Sequence, residues 1–254
     1  MRGATANHTW ASVLAVGAIL ALATPAAAGP PYLTDDPEPT DPGHWEIYSF
    51  AAATRTPDEL EGEAGLDINY GAAKDLQLTV GLPLAFDNPN GFTTHGLRGG
   101  AGAIELAAKY RVVHQAEGGW RPDVSLFPSV FIPTDKRFGS ARVNLLLPVW
   151  AEKDFGRWSV FGGGGYQINP GPDQRNFWQG GLAITRELGE RWSLGAEVFA
   201  QTRDEVAGRG FATLRAGASY RLVEHWSLHA SAGPGWAEGG GRQNTFYLAL
   251  KADY

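Results

Sequence analysis

The chain has 254 residues, a net charge of -6 and no cysteine, with 34 glycines, nine Trp, eight Tyr and twelve Phe. Cysteine-free, it has no disulfide, thiolate metal site or Cys nucleophile, and an acidic balance gives no footing for nucleic acid. A mean hydropathy of -0.22, with no apolar run after Ala28 approaching about 18 residues, excludes a helical membrane protein but suits strands that alternate apolar and polar residues.

In chain order, Arg2, the apolar run Val13–Ala23 and the small-residue site Ala26-Ala27-Ala28 make a secretory signal peptide, residues 1–28, cleaved before Gly29. Residues 29–43 hold five prolines and four acids and cannot form a central strand; they are expected to be an extended periplasmic arm leading into the first strand, with a plug or docking role as the alternative. Residues 44–254 then read as period-2 segments. Leu76, Leu78, Val80, Leu82 and Leu84 alternate with Gln77, Thr79, Gly81 and Pro83, and Ile104 to Val112 and Trp192 to Ala200 repeat the pattern.

Soluble sandwiches share that periodicity, so three other signals decide the class. Short turns near residues 72–75, 152–157, 187–191 and 223–225 alternate with longer polar loops, as on the two rims of an outer-membrane barrel. Trp158, Trp192 and Trp226 each follow a short turn at a constant spacing of 34, and Tyr70, Tyr110 and Tyr220 close strands entering the same rim. That ring of aromatics fits a membrane interface. The last strand places Phe246, Leu248, Leu250, Ala252 and Tyr254 outward, ending on an aromatic. The expectation is an all-β chain: a transmembrane antiparallel β-barrel of about twelve strands in the bacterial outer membrane, with outer-membrane lipid and the barrel-insertion machinery as partners.

The segments Gly29-Pro30-Pro31-Tyr32-Leu33-Thr34-Asp35-Asp36-Pro37, Gly43-His44-Trp45-Glu46, Lys109-Tyr110-Arg111, Leu147-Pro148-Val149-Trp150 and Gly162-Gly163-Gly164-Gly165-Tyr166 resemble an outer-membrane transporter family associated with a MetA pathway of phenol degradation. Ala103, Asp135 and Tyr254 depart from that family's pattern. The resemblance implies a transport role.

The expected lumen face carries Glu105, Lys109, Arg142, Glu197, Arg215, His229 and Lys251, with Phe127, Phe131, Phe161, Phe199 and Tyr247 narrowing it. Matching the heights of Trp192 and Tyr220 sets Glu197 opposite Arg215, expected to line a water-filled constriction. His229 and Ser231 share a strand face, as a hydrolase dyad would, but on the lumen side rather than towards lipid. No metal or cofactor motif appears. The sequence points to a passive channel for small solutes, apolar or aromatic ones included; a structural or adhesive barrel and a barrel lipid hydrolase remain as alternatives.

Overall fold

A computed structural model describes residues 31–116, 118–135, 138 and 142–254. The signal-peptide expectation falls outside these residues. From Trp45 onward the chain is a meander: β1 (Trp45–Arg55), β2 (Leu60–Ala73), β3 (Leu76–Asn88), β4 (Arg98–Ala101), β5 (Ile104–Val113), β6 (Asp123–Leu126), β7 (Ser129–Ile132) and β8 (Asn144–Phe155). It continues through β9 (Trp158–Ile168), β10 (Phe177–Leu188), β11 (Trp192–Gln201), β12 (Phe211–Val223), β13 (Trp226–Ala237) and β14 (Gly241–Asp253). β4 with β5, and β6 with β7, are interrupted staves that share neighbours, so the fourteen segments build a closed antiparallel barrel of twelve staves.

Turn chemistry sets the hairpins. Asp75 (φ 63) and Gly156 (φ 67) take the left-handed conformation that tight hairpin turns require. Pro128, which has no N–H to give a ladder, sits at the break between β6 and β7. There the Ala108 N–H still reaches the Pro128 carbonyl, and the Phe127 N–H the Pro148 carbonyl, each at 3.2 Å.

Closure joins the two ends of the meander. β1 pairs β14 from Glu46↔Asp253 to Arg55↔Asn244, and Trp45 and Tyr254 exchange N–H···O bonds of 2.7 and 2.9 Å. No open edge is left in hydrocarbon, where each unpaired group would cost several kcal/mol, roughly.

The wall is inverted relative to a soluble protein. Leu78, Leu84, Leu182, Val198 and Leu248 lie exposed on the outside, while Gln77, Lys109, Glu197, Arg215 and Lys251 are buried inside. At the short-turn rim Trp192 packs on Tyr220 and Trp45 on Tyr70, each pair with ring centroids 4.5 Å apart. Tyr254 meets Trp226 edge-on at 6.4 Å, and the Arg186 guanidinium lies 5.0 Å from the Trp158 ring. Tyr110 is exposed on the same side. Trp45 was not among the expected rim residues, nor was the Tyr166–Trp178 pair (4.9 Å) near the opposite end of β9 and β10.

Candidate functional site

The lumen is filled from within by the chain's own N-terminal segment. Residues 29–43 were expected to be a periplasmic arm, with a plug as the alternative; the described part, 31–43, folds back inside the barrel, where Thr34, Asp36, Pro37 and Thr40 are buried. A proline-rich stretch has no ladder to join, so its backbone groups need other partners, and the wall supplies them as side chains. Ser231 Oγ donates to the Pro31 carbonyl (2.6 Å), and Ser125 Oγ to the Pro37 carbonyl. The Thr34 N–H donates to Glu197 Oε1, and the Thr40 N–H to Gln77 Oε1 (2.8 Å). The Gly43 N–H then reaches the Gly71 carbonyl at 2.7 Å as the chain leaves for β1.

Two paired glycines on the wall are shaped to this segment. Gly195 and Gly217 face each other across β11 and β12, and a Cβ on Gly217 would stand 2.8 Å from the Tyr32 ring, one on Gly195 2.5 Å from its hydroxyl. At Gly217 every near atom belongs to Tyr32, so a side chain there would evict it, whereas at Gly195 a Cβ would also meet the Ile184 carbonyl of β10 at 2.4 Å.

Charges hold the segment as well. Lys109 Nζ lies 3.1 Å from Asp35 and 3.6 Å from Asp36, with its side chain 5% exposed. Arg215 and Glu197 face each other in register, with Arg215 Nη1 3.6 Å from Glu197 Oε2 and exposures of 3% and 0%. Thr34 covers this pair and both side chains are buried, so it does not line an open constriction. Lys251 bridges Glu46 (3.1 Å) and Asp253 (2.9 Å). Glu105 stands on the lumen wall beside Gly81, which it meets across β3 and β5.

One sequence expectation is corrected here. Arg142 does not line the lumen; it is exposed in the loop before β8, which begins only at Asn144. His229 and Ser231 are buried on the lumen side, as expected, and Ser231 gives its hydroxyl to Pro31. His229 instead sits between Ser219 (2.9 Å to Nδ1) and Ser227 (2.8 Å to Nε2), edge-on to Tyr48 at 5.7 Å.

Among the described residues, a cavity of about 510 Å3 lies between the segment and the wall of β1–β3, β5 and β8. Its lining is acidic, with Asp35, Asp36, Glu46, Asp67 and Glu105 set against Lys109 and Lys251, and part of it is aromatic, from Tyr48, Phe127 and Trp150. In the turn below, desolvation raises the Asp75 carboxyl, but hydrogen bonds from Arg111 and His114 outweigh it and hold the group below the usual carboxylate range.

No family model matches the sequence, and no curated protein matches it. Among solved structures, an outer membrane channel from Pseudomonas putida F1 is similar over 86% of this chain and 98% of its own, with a TM-score of 0.69 at 16% identity. A KdgM porin solved with disordered oligogalacturonate matches over 82% and 98%, with a TM-score of 0.52 at 12% identity. At such identities the likeness is one of fold. The fold is that of outer-membrane barrels, and its apolar outer wall above an aromatic rim places the chain in the bacterial outer membrane.

Proposed function

We propose that this barrel, lodged in the outer membrane, is a passive channel for small solutes, with residues 31–43 acting as an internal constriction. The observation that carries this is the cavity of about 510 Å3 running beside the buried segment in a closed barrel. A barrel of twelve staves is wide enough to conduct once its interior is not fully packed. The solved neighbours that share the fold include a channel and a porin, which supports passage rather than chemistry.

For the solute, the wall favours a ring with a polar or positive group. Tyr48, Phe127 and Trp150 offer faces for an aromatic body, and the carboxylates outnumber the lysines. The resemblance of the Gly29–Pro37 and Leu147–Trp150 segments to transporters linked to phenol degradation supports the aromatic part. In this reading residues 1–28 are the export signal.

Single-channel recording in planar bilayers tests the proposal. Wild type should show small, brief conductance steps, and a variant lacking residues 31–42 should show larger and steadier ones. A deletion variant that inserts with no conductance would overturn it.

A further inference from the structure

On the lipid-facing wall, register places Phe155, Trp158 and Arg186 in one row across β8, β9 and β10 at the short-turn rim. The next row towards the bilayer centre is Lys153, Val160 and Ile184, and the one beyond it Ala151, Gly162 and Leu182. All of these have the outward parity of their strands, whereas Glu152, Asp154 and Glu187 have the lumen parity. Elsewhere on this rim aromatic rings pack on one another, Trp192 on Tyr220 and Trp45 on Tyr70. Trp158 carries a cation, the Arg186 guanidinium, 5.0 Å from its ring.

Arg186 is exposed, and among the described residues no carboxylate stands within ion-pair distance of it. Lys153 Nζ donates to neutral acceptors, Gln115 Oε1 (3.1 Å) and the Ala116 carbonyl (2.9 Å). Cations at headgroup depth on an outer wall take their counter-charge from the lipid. Beside them the wall has a hollow of about 250 Å3, lined by the outward residues Pro122, Ala151, Lys153, Val160, Gly162 and Leu182. Close backbone approach makes it. A Cβ on Gly162 would meet the Gly181 carbonyl at 2.8 Å and one on Gly164 the Gln179 carbonyl at 2.3 Å, so no side chain fills the wall there, and Leu182 stands 60% exposed at the edge.

We infer that this face binds one anionic phospholipid of the periplasmic leaflet, its phosphate on the Arg186 guanidinium beside Trp158 and an acyl chain lying in the hollow over Gly162. A guanidinium meets phosphate oxygens through two parallel N–H donors, a fork that the Trp158 ring does not use. Lys153, one row further in, adds a second positive charge, which favours a headgroup of net negative charge over a zwitterionic one. The hollow selects by shape: in lipid an acyl chain that seats in it gains van der Waals contact with the wall, which a side-chain-free surface otherwise forgoes. Short turns mark the periplasmic rim, so the lipid comes from that leaflet. The site lies outside the barrel and does not depend on whether the lumen conducts.

The test is native mass spectrometry of the detergent-solubilised mature barrel titrated with palmitoyl-oleoyl phosphatidylglycerol. One lipid per barrel should be retained, at a concentration at least about fivefold lower than palmitoyl-oleoyl phosphatidylcholine requires. Arg186→Gln should weaken retention about tenfold, as loss of a charged hydrogen bond does. Ala151→Leu, which fills the hollow and leaves both cations in place, should weaken it as well. Arg242→Gln removes an exposed cation at the opposite end of the wall, on β14, and should bind as wild type. Equal retention of the two lipids, or wild-type retention in Arg186→Gln or in Ala151→Leu, would each overturn the assignment. Displacement of the lipid by an equal concentration of inorganic phosphate would also overturn it, by marking a site for free anions.

Discussion

Glu197 and Arg215 face each other across β11 and β12 with 3.6 Å between carboxylate and guanidinium, and the second carboxylate oxygen accepts the N–H of Thr34 from the internal segment. The pair thus belongs to two structures at once, the barrel wall and the plug. Because both side chains are buried, removing one partner strands a buried charge, at a cost of roughly 3–5 kcal/mol. Arg215→Met is expected to lower the urea midpoint of unfolding in detergent, and Glu197→Leu combined with Arg215→Met to recover most of the loss. Equal stability of the single variant and wild type would show that water reaches the pair.

Gly217 tests whether the segment is seated by shape. In Gly217→Val the new side chain occupies the place of the Tyr32 ring, so the barrel should fold while the segment leaves its seat. A cysteine placed at Thr34, buried at 0% exposure in the parent, should then react with a soluble maleimide at least about tenfold faster, as a site opened by local release does. Unchanged labelling would mean that the segment tolerates the added bulk in place.

The turn carboxylate Asp75 gives a pH signature. Desolvation would raise its pKa, but hydrogen bonds from Arg111 and His114 outweigh it and hold the group below its ordinary value, so it adds stability above the unfolded pKa, and that stability is lost as pH falls through the lower folded value. Asp75→Asn keeps a residue that tolerates φ 63 and removes only the charge. The stability gap between wild type and variant should be constant at neutral pH and close below pH 3.8. A gap that persists unchanged in strong acid would assign the effect to backbone shape.

Tyr254 closes the barrel at the rim, exchanging backbone bonds with Trp45 and packing against His225 (6.1 Å) and Trp226 (6.4 Å). Deleting it, or making Tyr254→Asp, should sharply reduce the heat-modifiable, membrane-inserted fraction on gels, because the final strand must seal the edge in lipid. Wild-type levels of inserted variant would count against a role for the terminal aromatic.

Much of this architecture is local and so was legible in the sequence. Side-chain alternation, the Trp158–Trp192–Trp226 spacing and the short turns depend on neighbours a few residues apart, and matching Trp192 with Tyr220 was enough to set Glu197 against Arg215. The place of residues 31–43 was not legible. Their partners lie far along the chain, 37 residues away for Thr40 and Gln77 and 200 for Pro31 and Ser231, and nothing in a proline-rich acidic stretch says whether water or a lumen will satisfy it. Two adjacent acids, Asp35 and Asp36, in a chain with the inward Lys109 were the available hint. Strand pattern is fixed by chemistry that repeats every two residues, whereas the contents of a lumen are fixed by which distant side chains still lack a hydrogen bond after the wall has closed.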